Sequence, residues 1–89
     1  MAYMFGRISV DDYAHFRDTF DSKADMRKAA GVVNSNVFQS VDDPNEVIVQ
    51  LEFSSADQAK TFSQSEGLRN AIKQANTKGE PRILVVDQT

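Results

Sequence analysis

The segments Tyr3–Val10 (YMFGRISV) and Arg82–Asp87 (RILVVD) constrain this chain most, because as strands they are apolar on both faces. Side chains alternate from face to face along a strand, so a strand with one solvated side carries polar residues at every second position. In the first segment Tyr3 and Phe5 oppose Met4, Ile8 and Val10; in the last, Ile83 and Val85 oppose Leu84 and Val86. Glu46–Phe53 (EVIVQLEF) is the clearest strand: Val47, Val49, Leu51 and Phe53 share one face, and Ile48, Gln50 and Glu52 the other. A sheet of such strands needs cover on both faces, since one bare face exposes a patch of large side chains.

The remaining sequence supplies cover for one face. Asp11 or Asp12 is placed to cap a helix that runs to Ala30, with Gly31 as its left-handed terminator. Val32–Val41 alternates loosely as a second strand, and Asp42-Asp43-Pro44-Asn45-Glu46 has the chemistry of a tight turn into the third. Ser55 and Gln58 have capping-box spacing at the start of a second helical region. That region breaks near Ser63, Ser65 and Gly67, restarts at Glu66 and ends about Asn76, with Gly79-Glu80-Pro81 as a stop before the last strand. The order β-α-β-β-α-β predicts an α+β fold of the ferredoxin-like, split β-α-β type: residues 1–89 as one domain, a four-stranded antiparallel sheet and helices on one side. A faint echo between Met26-Arg27-Lys28-Ala29 and Leu68-Arg69-Asn70-Ala71 is better explained by two amphipathic helices using common residues than by a repeat.

What covers the second face follows from size. A chain of 89 residues buries only about 60–65% of its unfolded surface, and domains this small often gain stability by oligomerising. It has no cysteine, so disulfides and thiolate metal sites contribute nothing, and a cytoplasmic location is expected. The expectation is a homodimer packed sheet face to sheet face. The net charge of −3 is interspersed, without a basic block, which argues against nucleic acid and anionic membrane partners. No apolar run approaches the roughly 18 residues of a membrane span, and the amino terminus runs straight into a strand pattern with no signal-peptide features.

Several residue groups together resemble a known family. Tyr13 with Phe16, the run Met26-Arg27-Lys28-Ala29-Ala30-Gly31, the hairpin Asp43-Pro44-Asn45-Glu46-Val47, and Ser65 with Leu68, Arg69 and Ala71 resemble the dimeric α/β-barrel superfamily, in particular its small antibiotic-biosynthesis-monooxygenase-like and cyclase-like members. The resemblance implies a dimer whose two sheets form a barrel, with a pocket between each sheet and its own helices. It implies no single activity, because the superfamily includes cofactor-independent monooxygenases acting on aromatic polyketides, haem-degrading enzymes, isomerases and members without known activity. The monooxygenases commonly carry an Asn on the first strand and a Trp near the end of the third. Here Tyr3–Val10 has no Asn, the chain has no Trp, and Phe53 ends the third strand. The His that haem degradation needs on the second helix is also missing between Ser55 and Asn76.

The candidate ligand-binding residues are Tyr13, Arg27, Phe53 and His15, with no catalytic residue assigned. At about 100° per residue Tyr13, Phe16, Phe20, Ala24 and Arg27 share a helix stripe. A guanidinium on a buried stripe needs carbonyls, a carboxylate or an anionic ligand, unless it snorkels to water near the helix end. His15, the only histidine, is a possible acid–base group but lies about 130° off the stripe, on a solvated side. Tyr3, Tyr13, Phe38, Phe53 and Phe62 are either walls for a flat aromatic ligand or ordinary core. The aspartate pairs read as caps and turns, Ser63 and Ser65 as a helix break and cap. One histidine without cysteine makes neither a zinc site nor a metallochaperone. The third strand lacks the basic, aromatic pattern of an RNA-recognition sheet, and the four isolated glycines form no phosphate loop. The leading expectation is therefore a cofactor-free homodimer that binds a small aromatic or anionic organic molecule between sheet and helices. The alternatives are a cofactor-independent monooxygenase or an isomerase or cyclase of the antibiotic-biosynthesis type, and a structural or regulatory domain without a ligand.

Overall fold

The computed structural model describes all residues, Met1–Thr89. The elements follow as β1 (Ala2–Val10), α1 (Tyr13–Ser22), α2 (Ala24–Ala29), β2 (Val32–Gln39), β3 (Glu46–Phe53), α3 (Ala56–Ser63), α4 (Glu66–Gln74) and β4 (Thr77–Asp87). One antiparallel sheet has the order β2-β3-β1-β4. This is the expected ferredoxin-like order, with both helical crossovers on one side. The expected barrel does not form: the sheet is open, and β2 and β4 each pair along one edge only.

The inner face carries the core. Met4, Ile8, Val10, Val47, Val49, Leu51 and Phe53 project from β1 and β3 against Phe16, Ala59, Phe62 and Ala75 from the helical layer and its end. The rings of Phe53 and Phe62 pack 5.8 Å apart at 47°, a tilted geometry in which aromatic pairs gain about 0.5–1.5 kcal/mol beyond burial. The register puts the other residues in rows across the opposite face: Tyr3 lies between Glu52 and Val86, Phe5 between Gln50 and Leu84, and Arg7 between Ile48 and Arg82. Phe38 extends the last row beyond Ile48. No helix covers this face, and Phe38, Ile48, Leu84 and Val86 are all exposed on it.

Three boundaries differ from the sequence expectation. The first helix is two helices, because the Ser22 hydroxyl donates to the Thr19 carbonyl and Lys23 leaves helical geometry at φ −99°, ψ 13°. A side chain that bonds its own backbone competes with the helix ladder. The second strand ends at Gln39, short of Val41, which is fully exposed. The last strand begins at Thr77, well before Arg82, so Gly79-Glu80-Pro81 interrupts the ladder instead of preceding it. Arg7 pairs with Arg82 and Ser9 with Lys78, which leaves the three residues 79–81 opposite Ile8 as a bulge with Gly79 at φ +66°. An edge strand tolerates a proline, and glycine alone takes that backbone angle without strain. The caps fall as expected: Asp12, Ser55 and Ser65 each accept a hydrogen bond from a first-turn amide.

Candidate functional site: an apolar cavity over Gly6

Gly6 sits mid-strand on β1, the sheet's inner central position, where every other inward residue of that strand carries a side chain. A Cβ added there meets nothing within 4 Å. The missing side chain leaves a hole, and the hole is the floor of a cavity between sheet and helices. Met4, Ile8, Val49, Leu51 and Ile83 surround the floor; Phe16, Phe20, Met26, Leu68 and Ile72 form the roof. The cavity is open to solvent on one side and has a volume of about 70 Å³. The walls are almost wholly apolar. The polar residues of the lining are Thr19, Lys23, Arg27 and Thr77, and Lys23 forms no ion pair.

Of the four sequence candidates, Arg27 lines this cavity, while Tyr13, His15 and Phe53 are not among its lining residues. Arg27 is buried at the end of α2 with 9% of its surface exposed. Its Nη1 donates to the Phe20 carbonyl at 2.6 Å, and its guanidinium stacks 3.6 Å from the centroid of the Phe20 ring. Burial pushes its pKa below the usual arginine value, while Asp21 pulls it back up and Arg17 adds to the lowering. A guanidinium stays protonated under such a shift. Tyr13 is half-buried against Phe16, with the rings 6.0 Å apart. Phe53, which stands where the resemblance implies a Trp, is fully buried under Phe62. His15 is on the outer side of α1, its Nε2 2.8 Å from the Gln74 carbonyl, where a protonated ring nitrogen ties α1 to the end of α4.

Sequence reasoning missed Gly6, Thr19, Lys23 and the α4 residues Leu68 and Ile72. An isolated glycine inside a strand pattern is a known mark of close approach to the backbone, and it was the available signal for Gly6. Thr19 and Lys23 continue the stripe of Phe16 and Phe20 at helical spacing, but polar residues on a stripe read as its edge. No group of three or more His, Cys, Asp or Glu is placed to hold a metal ion, and no helix is long and apolar enough to cross a membrane.

The family profile described as antibiotic biosynthesis monooxygenase matches residues 3–74. This chain belongs to that family. The match spans β1 through α4, which supply the cavity floor and roof apart from β4 residues such as Ile83. Solved members of the monooxygenase fold superpose over nearly the whole chain. A Bordetella bronchiseptica protein assigned as an antibiotic biosynthesis monooxygenase has a TM-score of 0.83 at 15% identity, covering 99% of this chain and 96% of its own. A Caulobacter crescentus protein of the same assignment gives 0.77 at 19%, covering 99% and 89%. SnoaB of Streptomyces nogalater, a cofactor-independent oxygenase, gives 0.73 at 18%, covering 99% and 94%. At these identities the superpositions establish the fold. No curated protein sequence matches the chain. Family membership favours an oxygenase or cyclase of the antibiotic-biosynthesis type over a protein that only binds.

Proposed function

We propose that the protein is a cofactor-independent monooxygenase for a small, electron-rich aromatic compound, held in the cavity over Gly6. The single observation that carries this reading is the apolar cavity between the sheet and its own helices in a chain of this family. With no cofactor to donate electrons, the substrate supplies them. A methylene flanked by phenolic rings and one molecule of dioxygen give a ketone and one molecule of water. Two C–H bonds break and one C=O bond forms. The carbon is oxidised by four electrons, dioxygen is reduced by four, and the second oxygen atom leaves as water with both protons.

The apolar walls support that chemistry in two ways. They exclude water from a carbanion-like or radical intermediate, and they hold the ring system in a fixed orientation. Lys23 and Arg27 border the same space, and either cation would favour the deprotonated, oxygen-reactive form of a phenol. Tyr13 and Phe53 support the roof and the floor from behind, and His15 fixes α1 to α4. Small-molecule pockets usually have volumes of about 300–1,000 Å³, so the 70 Å³ cavity must widen to admit a ring system. Met26, an unbranched side chain in the roof, is the natural part to yield.

A homodimer through the open sheet face is part of the proposal. The exposed Phe38, Ile48, Leu84 and Val86, with Tyr3 and Phe5 between them, form the surface that a second copy would cover. The absence of cysteine suits a cytoplasmic location.

Dissolved-oxygen uptake with a panel of anthrones and hydroxynaphthalenes tests the activity. The expected result is saturable uptake, one dioxygen per ketone or quinone formed, unchanged by a chelator and not increased by added flavin or reduced nicotinamide. Uptake no faster than in buffer across the panel would remove the oxygenase reading.

A further inference from the structure

A second feature lies on the other side of Arg27. α2, the start of β2 and the β3–α3 junction border an open groove lined by Arg27, Lys28, Asn34, Ser35, Ser54 and Gln58, among others, with no Asp or Glu. The two side-chain amide oxygens of its lining are engaged. The Ser54 hydroxyl donates to Gln58 Oε1 at 2.8 Å, and Asn34 Oδ1 accepts from the Ser35 amide at 3.0 Å. Its donors are not. Arg27 has five N–H groups, and the Phe20 carbonyl is the only protein acceptor any of them reaches. No buried polar side-chain atom lacks a partner, and the cavity walls are apolar, so the remaining guanidinium N–H groups meet solvent on the groove side. Lys28 forms no ion pair, and the amide nitrogens of Asn34 and Gln58 have no acceptor.

We infer that this groove is an oxyanion site, which takes the carboxylate or phosphate group of a small molecule on Arg27, Lys28 and the Asn34 and Gln58 amides. Two cations and two amide donors without a competing carboxylate in the lining are the pattern that recognises such a group. Arg27 has little freedom to move, because the Phe20 carbonyl and ring fix the guanidinium, so a bound anion meets a pre-oriented donor and little ordering entropy is lost. Asp21 opposes the site electrostatically, but it is exposed and its carboxylate pairs with Arg17 at 3.2 Å. Gly31, at φ +99°, lets the chain turn from α2 into β2 at the groove wall without a side chain filling it. The site is separate from the aromatic cavity and shares only Arg27 with it. Its occupancy is measurable without oxygen or an aromatic substrate, so its failure and that of the oxygenase reading are told apart.

The test is an amide and guanidinium NMR titration of the whole protein with inorganic phosphate and, separately, with acetate, each against sodium chloride at equal ionic strength. Saturable shifts at the Gly31–Ser35 amides and at Arg27 Nε–H, with either probe, support the site; the tighter of the two identifies the group it prefers. Arg27→Met is expected to weaken binding about tenfold or more, the loss of one charge-assisted contact. Arg27 also holds α1 to α2, so Lys28→Gln, on an exposed side chain, is the second variant, with an expected weakening of about threefold. Shifts no larger than those in chloride, or an affinity that Lys28→Gln leaves unchanged, would overturn the inference.

Discussion

Glu46 on the open sheet face accepts hydrogen bonds from Arg7 Nε and from the Ser9 hydroxyl, and these hold its carboxyl below the usual glutamate range. A carboxyl whose folded pKa is lowered adds stability above its unfolded value, and that stability is lost as pH falls through the folded one. Acidification from neutral pH to about pH 3 is therefore expected to lower the Tm of the unmodified protein more than that of Glu46→Gln. Parallel melts of the two proteins across this range check it; identical pH profiles would mean the cluster adds nothing to folding. This residue scale is also where the sequence was least legible. Asp43-Pro44-Asn45-Glu46 read correctly as a turn into β3, but that the turn's last residue meets Arg7 and Ser9 depends on the β1–β3 register. Gly6 failed to register for a related reason: a lone glycine in a strand marks an absence, and only the packed helices turn that absence into a cavity.

At the scale of elements, local signals did well wherever the backbone is governed by its own side chains. Asp12, Ser55, Ser65 and Gly31 mark the helix ends in both sequence and structure. They did worse where tertiary contacts decide. The Gly79-Glu80-Pro81 stop became a bulge inside β4 because β1 offers a partner on both sides of it. The break at Lys23 was hidden in a continuous amphipathic stripe. That break gives Arg27 its role: α2 turns back so that the guanidinium meets the carbonyl and ring of Phe20 in the last turn of α1. Arg27→Met keeps the aliphatic stem but loses a hydrogen bond to a charged donor and a cation–π contact, offset by relief from desolvating the charge. The expected net effect is a loss of about 1–2 kcal/mol in denaturant unfolding. No change, or a gain, would show that the α1–α2 junction holds through apolar packing alone.

At the scale of the whole molecule, the two-faced apolar strands called for cover on both faces; the chain itself covers one and leaves the other bare, and the family resemblance carried the fold. The open sheet, with β2 and β4 as its edges, corrects the barrel that the resemblance implied. The proposed dimer makes a separate claim about the bare face. Ile48→Glu places a carboxylate beside Phe38 and Arg7 on that face. Sedimentation is expected to find a dimer for the unmodified protein at micromolar concentration, and monomer or aggregate for the variant, since Arg7 is already paired with Glu46 and burying a further charge is costly. A folded, monodisperse monomer for the unmodified protein would end the dimer proposal.

The proposed function rests on the space above Gly6, and one substitution closes that space. Gly6→Val adds a β-branched side chain to an inward position of β1 where a Cβ has open room. The variant should fold as well as the parent or better, because glycine costs a strand about 0.5–1 kcal/mol and the new methyl groups are buried. Methyl NMR of both proteins during titration with 1-naphthol is the most direct measurement. The account predicts intermolecular NOEs from the ligand to Ile8, Leu68, Ile72 and Ile83 in the parent and none in a folded Gly6→Val. NOEs that persist in the variant, or that fall on Leu84 and Val86 of the open face instead, would contradict it.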